Sequence, residues 1–270
     1  MKELYGLLGE KLGHSFSPKI HFSIFEKLNL EGYYHLFEVK NKKLKEAVDG
    51  FKALNVKGVN VTIPYKVKII KYLDETSREA KAIGAVNTLC FKQDKIIGYN
   101  TDYYGFGMML EKFNVDVKNK NVVILGTGGA AKAVVQYILD NGARNIIFVS
   151  RDINKVTKQF NKFKIIQYDQ IKYLSEQDIV INCTPVGMYP QVENSPMDKE
   201  MISKFKTAVD LIYNPQETLF LKQARDQGLK AINGLYMLVG QAVKAQELWN
   251  DLKIDAKIVD KIYQGVEKGK

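Results

Sequence analysis

Val122-Val123-Ile124-Leu125-Gly126-Thr127-Gly128-Gly129-Ala130-Ala131 carries an apolar run straight into a glycine-rich turn. Four consecutive aliphatic residues read as a buried strand, and the alanines that follow open a helical pattern. The turn fits G-x-G-x-x-A. Gly126 permits the tight turn, Gly128 lets the backbone approach a pyrophosphate, and Ala131 allows close helix–strand packing. The helix N-terminus favours negative charge, so Gly126, Gly128, Gly129 and Ala130 are candidate cofactor-binding residues. The competing reading is a glycine-rich turn of purely structural origin.

Working outward, strands are expected at 145–149, 164–167, 179–182, 207–210 and 230–232, with helices at 130–141, 153–161 and 216–227. Upstream, the pattern predicts strands at 4–9, 33–39 and 58–63 and helices at 18–28, 44–54 and 67–73. A hairpin-like pair follows at 86–91 and 95–99, then a helix from Asp102 to about Phe113. Ser17 precedes Pro18 as an N-cap would precede the first helical residue. Alternation at this spacing means an α/β protein of two domains. One is an α/β domain with a mainly parallel sheet, residues 1–103. The other is a dinucleotide-binding domain, residues 104–234. From Leu235 onward the chain reads as two helices without a strand, expected to pack back on the first domain.

A length of 270 residues suits two domains, and 46% hydrophobic content supports well-packed cores. No apolar stretch approaches the roughly 20 residues needed to span a bilayer, so no membrane role is expected. The N-terminus enters a strand-like pattern without an apolar signal core. With only Cys90 and Cys183, both in apolar segments, a reducing cytoplasm fits best and no metal is expected. His14, His21 and His35 form no catalytic or metal constellation, and His14 is expected to hydrogen-bond its own loop. The net charge of +10 is spread along the chain rather than concentrated on one helix or tail, which argues against nucleic acid as a partner. A basic field would help attract a phosphate-rich cofactor and a carboxylate substrate.

The end of the second strand bears on the cofactor. An acidic residue there binds the ribose 2′-hydroxyl of NAD, and an arginine accommodates the 2′-phosphate of NADP. The chain has Ser150-Arg151-Asp152, with Lys155 one turn on. Arg151 offers a planar fork for phosphate, while Asp152 would repel one. NADP (NADPH) is favoured.

Two further segments carry acid/base potential. Asn60-Val61-Thr62-Ile63-Pro64-Tyr65-Lys66 and Asn100-Thr101-Asp102 each pack amides, hydroxyls and an ionisable group beside apolar runs. A lysine held by an aspartate could supply the proton that a ketone needs when hydride reduces it.

The chain resembles the shikimate dehydrogenase family over essentially its whole length. The resemblance rests on seven motifs in order. Gly13-His14-Ser15-Phe16-Ser17-Pro18 is similar to H-S-x-S-P, and Gly58 to Lys66 contains N-V-T-x-P-x-K. Ile83 to Thr88, Asn100-Thr101-Asp102, Asn182 to Met188, Asp210 to Pro215 and Gly234 to Gln241 complete the set.

The resemblance implies that Lys66 and Asp102 are the catalytic pair. It implies that Ser15, Ser17, Asn60, Thr62, Asn87, Tyr213 and Gln241 bind the substrate, the serines through its carboxylate. Thr184, Gly234 and Met237 join the glycine turn, Ser150, Arg151 and Lys155 on the cofactor side. The implied reaction is reversible NADPH-dependent reduction of 3-dehydroshikimate to shikimate, in aromatic amino-acid biosynthesis. It would take place between a substrate domain and a Rossmann-type domain, in a cytoplasmic monomer or homodimer, with hinges near 101–104 and 233–236.

Simpler readings stand beside several of these. Ser17 could be only a cap, Asp102 could cap the following helix, and Tyr213 could be packing. The chain departs from the family pattern at Ser150 and Asp152, where the cofactor clamp is usually Asn-Arg-Thr, at Tyr103, commonly glycine, and at Phe22, often asparagine. Alternatives are an NAD-dependent quinate/shikimate dehydrogenase and a catalytically silent metabolite-binding regulator on the same scaffold.

Overall fold

Apolar runs separated by polar turns become the strands of two six-stranded sheets. The computed structural model describes residues 2–13, 15–156 and 160–268, the Lys155 side chain excepted. Two compact units result, one of residues 1–105 with 238–270 and one of residues 106–237.

The first unit contains β1 (Glu3–Gly9), α1 (Ser17–Leu28), β2 (Gly32–Glu38), α2 (Leu44–Ala53), β3 (Gly58–Val61), β4 (Glu75–Thr76), α3 (Arg78–Ile83), β5 (Thr88–Lys92), β6 (Lys95–Tyr99) and the start of α4 (Thr101–Lys112). Its sheet has the order β2-β1-β3-β5-β6-β4. Strand β1 pairs in parallel with β2 and β3, and β4 with β6, whereas β5 runs antiparallel to both β3 and β6. The antiparallel pairing of β5 with β6 arises because Gln93, with φ of 54°, turns the chain tightly back on itself.

Alternation along β1 sends Leu8 to one face with Val59, Val61, Tyr65, Ile69 and Leu89. Tyr5 and Leu7 go to the other, with Phe25, Tyr34, Cys90 and Trp249.

The second unit contains β7 (Asn121–Leu125), α5 (Gly129–Asp140), β8 (Asn145–Val149), β9 (Lys164–Ile166), β10 (Ile179–Asn182), α6 (Lys199–Ile202), β11 (Thr207–Asp210), α7 (Leu219–Asp226) and β12 (Lys230–Ile232). Its sheet is wholly parallel, in the order β12-β11-β10-β7-β8-β9. Strand order reverses between β7 and β10, which is where doubly wound sheets bind ligands. The chain ends in α8 (Leu235–Asn250) and α9 (Ala256–Lys268).

Several expectations shift at element ends. The helix expected at 216–227 starts at Leu219, because the Thr218 hydroxyl accepts from Leu221 N and caps it. At 67–73 there is a 3-10 helix, Lys68–Tyr72. Residues 153–155 form a 3-10 turn capped by Asp152 rather than the start of a long helix, and 157–159 lie outside the described residues. α3, β4, α6 and the 3-10 helix Tyr168–Tyr173 were not anticipated; each is too short for a periodic signal. Among the described residues no helix is long and apolar enough to cross a membrane.

Candidate active site

β3 is buried along its whole length and delivers Asn60 between β1 and β5, where it faces Leu7 and Thr88. The Asn60 amide is tied at both ends: Tyr34 Oη donates to Oδ1 at 2.8 Å, and Nδ2 donates to Thr88 Oγ1 at 3.0 Å. Just beyond the strand, Thr62 N donates to Leu8 O at 2.9 Å, leaving Thr62 half-buried past the end of β3. Asn87 is buried, and its Oδ1 accepts from Thr101 N at 2.6 Å, Thr88 Oγ1 at 3.1 Å and Thr101 Oγ1 at 3.2 Å. With that oxygen so engaged, the Asn87 amide nitrogen is the group available to a ligand hydroxyl.

Lys66 Nζ donates to Asp102 Oδ2 at 2.6 Å, the side chains being 28% and 17% exposed. Backbone holds both groups. Val86 N donates to Lys66 O at 2.8 Å, and Asp102 lies in the first turn of α4, where the helix dipole favours a carboxylate. The pair is therefore largely shielded from water yet open enough to meet a substrate.

Ser17 is not the N-cap of α1. Ile20 N donates to Phe16 O, which makes Phe16 the cap, Ser17 the first helical residue and Pro18 the second. Ser17 N donates to Ser15 Oγ at 3.2 Å, so the two serines lie next to each other at the helix start. Gln241, on α8 in the same unit, donates through Nε2 to Leu238 O at 2.9 Å. Beneath the site His21 stacks on Tyr34 with ring centroids 4.0 Å apart and shares Nδ1 with Gln246 Nε2 at 2.9 Å. Burial pushes His21 down to about 3, so it is neutral.

In the second unit the glycine turn has the shape a dinucleotide needs. Gly126 has φ of +90°, a conformation that favours glycine. Gly128 is the extended N-cap of α5 without a side-chain cap, and a Cβ at Gly128 or Gly129 would meet open space. With Ala130 also exposed, the first amides of a 12-residue helix face outward, which fits a pyrophosphate. Ser150 Oγ donates to Asp152 O at 3.0 Å, and Arg151 is exposed. The Asp152 carboxylate accepts from Asn154 N at 3.0 Å, so it is engaged in its own turn.

Thr184 follows β10, and its amide and hydroxyl both donate to Asn182 Oδ1. Gly234 N donates to Ile212 O at 3.0 Å, Met237 is buried, and burial raises the Tyr213 phenol above its ordinary value. His14 and the Lys155 side chain lie outside the described residues. Among those described, no group of three or more His, Cys, Asp or Glu could hold a metal ion.

Sequence reasoning missed Tyr34 and Thr218, and it placed Thr88, Thr101, Asn182 and Asp210 in motifs without giving them a role of their own. A signal existed for some: Asn182 and Asp210 end otherwise apolar strands, where an unpaired polar group is costly.

Two family models match the chain: the shikimate dehydrogenase substrate binding domain over residues 7–89, and shikimate / quinate 5-dehydrogenase over residues 108–215. The shikimate dehydrogenase (NADP(+)) of Clostridium perfringens (strain SM101 / Type A) is 50% identical over 264 residues, 97% of either chain. A chorismate mutase/shikimate 5-dehydrogenase fusion protein from Clostridium acetobutylicum superposes with a TM-score of 0.97 at 55% identity, covering 100% of this chain and 98% of that one. The shikimate 5-dehydrogenase of Thermus thermophilus, solved in complex with NADP(H) and shikimate, gives a TM-score of 0.88 at 29% identity, with 98% and 99% covered.

Proposed function

The chain belongs to the shikimate dehydrogenase family, and on that premise we propose that it catalyses the reversible, NADPH-dependent reduction of 3-dehydroshikimate to shikimate, with Lys66 and Asp102 as its acid/base pair. The observation that carries this reading is the 2.6 Å bond between Lys66 Nζ and Asp102 Oδ2.

NADPH, when bound, supplies the hydride. The Lys66 ammonium donates a proton to the oxygen that turns from carbonyl to alkoxide, and in the oxidative direction the neutral amine takes it back. Asp102 orients Nζ through a charge-assisted hydrogen bond. The Ser15 and Ser17 hydroxyls at the start of α1 receive the substrate carboxylate. Thr62, Asn87 and Gln241 meet the ring hydroxyls, with Asn60 fixed behind them. A site of this kind rejects analogues that lack a hydroxyl, because its own polar groups would be left unpaired.

Gly126, Gly128, Gly129 and Ala130 hold the pyrophosphate. Ser150, Arg151 and Lys155 hold the adenosine phosphate, and Thr184, Gly234 and Met237 line the nicotinamide side. The exposed Arg151 guanidinium, suited to a 2′-phosphate, and the relative named for NADP(+) support NADP over NAD.

Absorbance at the reduced-nicotinamide band, with shikimate plus NADP+ or NAD+ in turn, tests the proposal. A rate with NADP+ and shikimate well above that with NAD+ or quinate is expected. Preference for NAD+ and quinate would favour the rival dehydrogenase, and no turnover with either cofactor would favour the silent regulator. The reading extends to a cytoplasmic enzyme, which its two free cysteines suit, acting as a monomer or homodimer. Light scattering on a size-exclusion column tests the assembly.

A further inference from the structure

The glycine turn after β7 and the loop after β10 meet where the strand order of the second sheet reverses. A Cβ on Gly126 would lie 2.6 Å from the Thr184 methyl, so the loop is pressed against the turn. Thr184 is held there by Asn182, whose Oδ1 accepts from Thr184 N at 3.0 Å and from Thr184 Oγ1 at 2.6 Å. An asparagine can offer either end of its amide, so something must keep the oxygen on the Thr184 side.

Asp210 does so. It is the register partner of Asn182 on β11, and its Oδ1 accepts from Asn182 Nδ2 at 3.0 Å, a shorter bond than the 3.4 Å one that Nδ2 also donates to Val186 O. An ionised carboxylate accepts and never donates, so it admits only the amide nitrogen. The same carboxylate accepts from Ile212 N at 3.1 Å and from Thr218 Oγ1 at 2.7 Å. Ile212 O in turn takes Gly234 N, and a Cβ on Gly234 would collide with the Leu211 backbone. Thr218 caps α7. One carboxylate thus fixes the loop after β10, the loop after β11 and the start of α7. Asn182 and Asp210 are both fully buried, and a carboxylate there costs stability that an apolar residue would not. Its benefit must lie in what it orients.

We infer that Asp210 is a positioning residue of the dinucleotide site: it sets the Asn182 amide so that Thr184 is held against the glycine turn, and it anchors the backbone beside Gly234. The inference rests on the dinucleotide reading above but assigns a role to residues outside the proposed contact set, and Asp210 itself touches no reacting atom.

Calorimetric titration of the full chain with NADP+ tests it apart from turnover. Asp210→Ala is expected to weaken NADP+ by about 10-fold or more, because Asn182 loses its shorter anchor; in Asn182→Ala, which leaves Ile212 N bonded to Asp210, shikimate affinity should change by less than about 3-fold. Asp210→Asn is expected to recover most of the affinity, since its carbonyl still accepts from Asn182 and Ile212. Thr218→Val, which removes only the Oδ2 donor and the cap, should lower Tm and leave NADP+ affinity near wild type.

Should Asp210→Ala not fold, Asn182→Ala carries the test, with the same loss expected. A folded Asp210→Ala or Asn182→Ala protein that binds NADP+ as wild type does would overturn the inference. So would a Thr218→Val protein that loses as much affinity as Asp210→Ala, since that would mark a general loss of packing. A wild-type protein that binds NADP+ but does not oxidise shikimate would refute the proposed reaction and leave the role of Asp210 standing.

Discussion

Lys66 and Asp102, 36 residues apart in sequence, meet through one short charge-assisted bond at the end of a buried strand. Replacing Lys66 by Ala removes the proton donor and leaves the hydroxyl-binding groups in place. Steady-state kinetics should then show kcat lower by about 10²- to 10⁴-fold with the KM for shikimate little changed; near-normal kcat would remove Lys66 from the mechanism.

Asp210 makes a pH prediction of its own. Burial is the main influence on its carboxyl, raising it from an ordinary 3.8 to about 6 against the hydrogen bonds from Thr218, Ile212 and Asn182. A carboxyl raised on folding contributes stability that is full below its unfolded pKa and is lost as pH rises through its folded one. Wild type should therefore lose stability relative to Asp210→Asn between about pH 4 and 6, by about 3 kcal/mol at most. Urea midpoints of both proteins at pH 4.5 and 7.5 would measure this, and a constant difference between them would contradict it.

At the scale of elements, α8 is seated on the first sheet by Trp249. Its Nε1 donates to Leu89 O at 2.9 Å, and a Cβ on Gly58 would occupy the space of its ring. Trp249→Phe keeps most of the packing but leaves a buried carbonyl without its donor, so a loss of about 1–3 kcal/mol is expected. Thermal unfolding should register this as a lower Tm, and an unchanged Tm would mean that packing alone seats the helix. The beginning of α1 shows the limit of local reading. Ser17 before Pro18 looks like a cap, yet the first helical bond goes to Phe16 O, and Ser15 supplies the oxygen that meets Ser17 N. Capping propensity names the residue types at a helix start, while the path of the preceding loop chooses among them.

At the scale of the whole molecule, each unit has its own cores: Leu8, Val59 and Tyr65 with Tyr5, Phe25 and Trp249 in one, and Val123, Val180, Ala208 and Phe220 in the other. Units built this way are expected to respond to ligands separately in scanning calorimetry. NADP+ at 100 times its Kd should stabilise the 106–237 transition by about 2.7 kcal/mol, and shikimate should act mainly on the other. Equal shifts of both transitions by either ligand would contradict that assignment.

The α/β alternation, the glycine turn and the residue types of the acid/base pair were legible in the chain because each depends on neighbours within a few positions: hydrophobic period, φ above zero at Gly126, an ionisable group beside an apolar run. The sequence by itself thus determined the order of the longer elements and the candidate chemistry. Only the tertiary structure decided which buried polar groups meet. Asn182 finds Asp210 through the register of β10 with β11, and Tyr34 finds Asn60 through the order of β2, β1 and β3. Such contacts join positions distant along the chain, and sheet order, not local propensity, brings them within hydrogen-bonding reach.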